Sequence, residues 1–117
     1  MAKDFTKYIF SQKKYGKNQL VKAVVEDYIN THKNISLAEL EKAFPQKIQH
    51  KTGTNFLFDV IREEKYVFED KRYFSDTIIL SDGKVIKICN QWDKDNIPKF
   101  IECAKSLGYF ISPVVGD

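Results

Sequence analysis

Few residues of this 117-residue chain have the type and spacing that chemistry needs. The only histidines, His32 and His50, have no metal-ligating residue three or four positions on, so neither begins a helical metal pair and both read as surface histidines. Cys89 and Cys103 fall in different elements with no CxxC spacing. They read as small core hydrophobes in a reducing compartment. Asp93-Lys94-Asp95-Asn96 begins like a calcium loop, yet Pro98 stands where that loop requires its turn glycine. Helix capping explains these acids better. No metal or cofactor is expected.

Asp59 and Glu63-Glu64-Lys65 supply an acid and an acid-x-lysine unit, the residue types that hold magnesium in one kind of nuclease site. Such a site needs the lysine-bearing segment on a strand and the first aspartate on another. Here all four are predicted on one helix, as a solvated face with i,i+4 pairing. A metal-dependent nuclease is therefore the remote reading. No phosphate-binding loop of the GxxxxGK[ST] type and no GxGxxG occurs.

The lysines are the richer signal. Residues 1–51 hold ten Lys against five acids, a net +5, and residues 52–117 hold nine Lys or Arg against eleven acids, a net −2. Lys13, Lys14, Lys17 and Lys22 cluster around a loop entering a helix, where they could contact an anion; the alternative is a solvated basic face. Only Arg62 and Arg72 offer the guanidinium fork that reads guanine edges, so contact with nucleic acid would rest on phosphates. Asn90-Gln91-Trp92 after a strand could stack a base on the indole while the amides read its edges. The alternative is that Trp92 plugs the core.

These residues must be positioned by one core. Length, 43% hydrophobic and 30% charged residues, and 14% aromatics predict a single folded domain over 1–117. No apolar run reaches the roughly 18–20 residues of a membrane span, and the start lacks a signal peptide's apolar centre, so a cytoplasmic protein without membrane contact is expected.

Lys7–Phe10 and Lys14–Gly16 suggest a short strand or hairpin within 1–16. Leu20, Val21, Val24, Val25, Tyr28 and Ile29 then recur at helical spacing, predicting a helix from an Asn18 N-cap to about Thr31. Ser36-Leu37-Ala38-Glu39 is a capping box, flanked by Ile35 and Leu40 as a hydrophobic staple, and Pro45 ends its helix at about Phe44. Residues 46–53 read as a turn or short helix. Thr54 or Asn55 could cap a helix bearing Leu57, Val60 and Ile61, although Phe56-Leu57-Phe58 could equally be a strand.

From Tyr66 the pattern turns to β: Tyr66–Phe68, Arg72–Phe74, Thr77–Leu80 and Lys84–Cys89. Asp82-Gly83 predicts a two-residue type I′ turn, with Ile79 opposite Ile86, Leu80 opposite Val85, and both faces covered. Asp95 or Asn96 caps a last helix that has Pro98 in its first turn, Ile97, Phe100, Ile101, Ala104 and Leu107 on one face, and Gly108 as its C-cap. Tyr109–Ile111 reads as a closing strand and 113–117 as a frayed tail. The expected class is α+β, with N-terminal helices, a hairpin, a C-terminal helix and a short closing strand.

The order helix, capped short helix, polar turn, helix and hairpin over Asn18–Cys89 resembles winged helix-turn-helix domains. The resemblance implies that Lys47, His50 and Lys51 approach DNA and that the Asp82-Gly83 tip touches its backbone. Tyr15-Gly16-Lys17, Phe44-Pro45, Cys89-Asn90-Gln91-Trp92, Asn96-Ile97, Phe100, Ala104-Lys105 and Leu107-Gly108-Tyr109 together resemble a small uncharacterised domain of bacterial defence-associated, restriction-linked and prophage proteins. That resemblance implies a setting of host defence or of a mobile element. The leading expectation is a non-enzymatic module that binds nucleic acid through its basic first half. The alternative is a protein-binding inhibitor or adaptor, such as a phage-encoded inhibitor of a host defence complex.

Overall fold

The computed structural model describes residues 6–45, 60–94 and 96–114. Its elements are β1 (Tyr8–Phe10), β2 (Lys13–Tyr15), α1 (Lys17–Thr31), α2 (Leu37–Ala43), β3 (Ile61–Glu63), a 3-10 turn (Glu64–Tyr66), β4 (Ile78–Ile79), β5 (Val85–Ile88), α3 (Ile97–Ser106) and β6 (Ser112–Pro113). The class is α+β. Lys47, His50, Lys51, the proposed caps Thr54 and Asn55, and Asp59 lie outside the described residues.

The N-terminal hairpin forms as expected. Ser11 and Gln12 take φ of 52° and 67°, so the two-residue turn is left-handed at both central positions and pairs Phe10 with Lys13. Its strand β1 also pairs with β6, Ile9 opposite Ser112 and Tyr8 opposite Pro113, giving the antiparallel order β2-β1-β6. The closing strand thus lies beyond Tyr109–Ile111, and Pro113 belongs to it rather than to a frayed tail. As β6 is an edge strand, the missing N–H of Pro113 leaves no ladder bond unmade.

Helix α1 buries Leu20, Val21, Val24 and Val25. Its N-cap position is Gly16, without a side-chain cap, and not Asn18 as the sequence suggested. In α2 the capping box forms in full, Ser36 Oγ accepting from the Glu39 N–H at 3.2 Å and Glu39 Oε1 accepting from the Ser36 N–H at 3.2 Å. Both staple residues, Ile35 and Leu40, are buried. Helix α3 buries Ile97, Phe100 and Ala104. It ends in a Schellman motif at Gly108, whose φ is 97°, with Tyr109 N–H donating to Ala104 O and Gly108 N–H to Lys105 O.

The second sheet has the antiparallel order β3-β5-β4. Ile61 opens a strand, so the expected helix does not run through Val60 and Ile61. Tyr66–Phe68 is no strand either: it completes the 3-10 turn and folds back over the sheet. Arg72–Phe74 contributes one isolated bridge, Tyr73 to Cys89. In the hairpin, Ile78 pairs with Ile86 and Ile79 with Val85, one residue away from the expected register. The Gly83 N–H donates to Leu80 O and the Leu80 N–H to Lys84 O, and of the loop residues only Gly83 has positive φ, 84°. This is a three-residue type I turn with a glycine bulge in place of the two-residue turn.

Ile61, Ile86 and Ile88 face the main core, which also takes in Tyr8 and Phe10 of the first sheet, Ile111 just before β6, and all three helices. Rings run through it from Trp92 to Phe100 (5.3 Å), Phe44 (5.8 Å) and Tyr28 (5.4 Å). On the opposite face of β5 a small cluster of Val67, Tyr73 and Cys89 covers the strand, and Lys87 Nζ donates to Phe68 O at 3.1 Å. Coverage stops at β4, where Ile79 is 72% exposed.

Candidate functional site

Strand alternation sorts the β2-β1-β6 sheet into two faces. Tyr8 and Phe10 point into the core. Between them Ile9 points outward, 40% exposed, in a row with Lys14 of β2 and Ser112 of β6. One step along, Lys7 pairs with the last described residues, its carbonyl accepting from the Val114 N–H at 2.9 Å. A Cβ on Gly16 would meet Lys7 Nζ at 3.5 Å, which places that ammonium beside the junction of β2 and α1. At the other end, Tyr109 and Ile111 turn inward while Phe110 stands 90% exposed. The outer face therefore displays Lys7, Ile9, Lys14 and Ser112, and Phe110 stands exposed two residues before β6. None of residues 6–17 or 107–114 is acidic.

The predicted lysine cluster is divided by the same alternation. Lys13 and Lys14 occupy successive positions of β2 and leave on opposite faces. Lys17 is the first residue of α1. Lys22 does not offer an open ammonium: it makes a 2.8 Å ion pair with Asp76, a 3.9 Å pair with Glu26, and lies 5.8 Å from the Phe74 ring centroid. The Asp76 hydrogen bond raises the Lys22 pKa and lowers that of Asp76. Lys7, which joins Lys14 on the outer face, and Phe110, exposed just before β6, were not singled out by sequence. Their signal is the exposed-buried alternation at both chain ends, and it acquires meaning only once β1 and β6 are paired.

Trp92 is not a stacking platform. Its side chain is 6% exposed, with Nε1 donating to Cys89 O at 2.9 Å and its ring edge-on to Phe100. The flanking amides are also engaged internally: Asn90 Nδ2 donates to Lys71 O and Gln91 Nε2 to Asn90 Oδ1. Asn18 Oδ1 accepts from the Trp92 N–H. Asn96, 1% exposed, holds the same loop, accepting from the Asp93 N–H at 2.8 Å and donating to Gln91 O at 3.1 Å. Both asparagines expected as helix caps thus serve this loop. Asn96 does hold the N-cap position of α3, as expected, but makes no side-chain cap bond there, and Asn18 lies inside α1.

The chain matches no family model, no curated protein and no solved structure. The site must therefore be judged on its own chemistry.

The Asp82-Gly83 tip, implied by the winged-helix resemblance to touch DNA backbone, is docked within the molecule. Asp82 Oδ2 accepts from the Leu37 N–H at the start of α2 and Oδ1 from the Lys84 N–H, both at 3.1 Å, while Ser81 Oγ donates to Ile35 O at 2.7 Å. The Leu37 and Lys84 N–H groups hold the Asp82 carboxyl below the usual carboxylate range. Glu63 and Lys65 stand on β3 and the 3-10 turn, not on the helix that sequence suggested; Glu63 pairs with Lys65 at 3.7 Å and Lys84 at 3.6 Å. Cys89 is buried, and Cys103 donates to Ala43 O, its thiol pKa pushed up by burial. His32 lies stacked on Tyr28 with Nδ1 2.9 Å from the Tyr28 carbonyl oxygen. Among the described residues no group of three His, Cys, Asp or Glu is arranged to hold a metal, and no helix is long and apolar enough to cross a membrane.

Proposed function

We propose that the protein is a non-catalytic module that binds nucleic acid through the outer face of the β2-β1-β6 sheet. One observation carries this reading: Lys7 and Lys14 share that face with Ile9 and Ser112, Phe110 stands exposed just before β6, and residues 6–17 and 107–114 contain no acid. Two ammonium groups on a rigid sheet suit phosphates as point charges, and Ser112 adds a hydroxyl donor. Lys13, at the hairpin tip, adds charge from the other side of β2. Binding of this kind releases counterions, so affinity falls with salt.

Fluorescence anisotropy of labelled oligonucleotides between about 50 and 200 mM salt tests it. The Lys7→Gln, Lys14→Gln double variant should flatten the log–log salt slope by about 1.4 on single strands, two phosphate contacts at roughly 0.7 each. Absence of binding to any oligonucleotide at the lowest salt would reject the reading.

A second reading, a protein-binding inhibitor or adaptor, is favoured by a separate surface. Tyr66, Phe68 and Ile79 are exposed on the outer side of the β3-β5-β4 sheet, with the Arg62 guanidinium 5.8 Å and Lys65 Nζ 5.1 Å from the Tyr66 ring centroid. Aromatic and Arg side chains dominate protein interfaces. On this reading a partner retained by the wild-type chain is lost with Phe68→Ser and kept with Lys14→Gln.

A further inference from the structure

Resting on the nucleic-acid reading, we infer that the β2-β1-β6 sheet takes single strands in preference to duplexes, with one unpaired base stacked on Phe110. Phe110 is the most exposed large apolar side chain among the described residues. It is held outward from both sides. Before it, the Schellman turn at Gly108 fixes the chain and Tyr109 is locked inward, its hydroxyl donating to Asp27 Oδ2 at 2.9 Å and its ring edge-on to Phe10 at 5.6 Å. After it, Ile111 is buried and Ser112 enters the sheet. A ring presented by such a frame loses little further freedom when a base settles on it, which is what makes an exposed aromatic effective for binding.

The surroundings suit a nucleotide. Phe110 forms one wall of an open groove of about 430 Å³ lined also by Lys105, Gly108, Tyr109, Ile111 and Ser112, so a nucleotide seated there shares the groove with a lysine. On the sheet itself Lys14, Ile9 and Ser112 lie side by side across three strands, about 9.6 Å from first to last. A sheet platform accepts two or three nucleotides in this way. A duplex would fit poorly. Its base faces are hidden in the stack, and the major groove admits a helix or a two-stranded ribbon, whereas this sheet has three strands.

The test compares a labelled oligothymidylate, the corresponding oligouridylate and a mixed-sequence duplex on the whole chain. Single strands of either sugar should bind at least about tenfold tighter than the duplex, and Phe110→Ala should weaken single-strand binding roughly 5- to 150-fold, the loss of one base–aromatic stack, while leaving the salt slope unchanged. Phe110→Trp should retain affinity, and its exposed indole should be quenched by oligothymidylate. Equal affinity for duplex and single strands, or a Phe110→Ala protein with an unaltered melting temperature that binds single strands like wild type, would overturn the inference and leave the phosphate reading standing. Failure of every oligonucleotide to bind would remove both.

Discussion

The backbone N–H of Trp92 donates to Asn18 Oδ1 at 2.9 Å, joining residues 74 positions apart in the chain. With Asn96 holding Asp93 and Gln91 from the other side, the first turn of α1, the loop after β5 and the start of α3 are tied at one point. The indole closes this junction from within.

Asn96→Ala should therefore cost more than a helix cap. It removes two part-buried hydrogen bonds, to the Asp93 N–H and the Gln91 carbonyl, made by a side chain only 1% exposed, at about 0.5–1.5 kcal/mol for each. Asn18→Ala removes one acceptor and should cost about 1–2 kcal/mol. The two losses should be less than additive, because both loosen the same loop. Urea titration gives the energies. As Trp92 is the sole tryptophan, its emission, blue-shifted and shielded from acrylamide in the native chain, should redden in Asn96→Ala.

Asp82 makes stability dependent on acid. Its folded carboxyl is held below its unfolded value by the Leu37 and Lys84 N–H groups, so its contribution is present above the unfolded pKa and is lost as pH falls through the folded one. Melting temperatures of wild type and Asp82→Ala should differ at pH 7. They should converge as the pH is lowered through the carboxylate range, and a gap that stays constant down to pH of about 2 would show that ionisation of Asp82 is irrelevant.

Tyr109 acts at the alkaline end. Burial first, and then the Asp27 carboxylate that accepts its proton, raise the phenol above its ordinary value. A group with a raised folded pKa contributes fully below its unfolded pKa, about 10, and progressively less above it. The wild-type melting temperature should fall above pH of about 10 more steeply than that of Tyr109→Phe, measured by circular dichroism. Parallel declines would contradict this assignment.

Local signals proved legible where every partner lies within a few residues. The Ser36–Glu39 box, the glycine stop at Gly108 and the apolar stripes of α1 and α3 depend on groups one turn apart, so type and spacing alone decide them. The α+β class and the N-terminal hairpin follow from the same short-range chemistry. Residues 46–59, where the recognition segment is expected, lie outside the described residues.

Tertiary structure decided the rest, because the deciding partner was distant. Asn18 and Asn96 look like caps, but their side chains are taken by backbone N–H and carbonyl groups of the loop around the buried Trp92. Asp82-Gly83 favours a tight turn in isolation; docking Asp82 on the Leu37 N–H and Ser81 on Ile35 accompanies a longer turn, and the register moves by one. Likewise, which lysines act together is not a matter of adjacency. Lys13 and Lys14 are neighbours in sequence and diverge in space, while Lys14 and Ser112, 98 positions apart, share a face because both lie opposite Ile9 of β1. A strand's two faces alternate by residue, so membership of a surface is set by pairing.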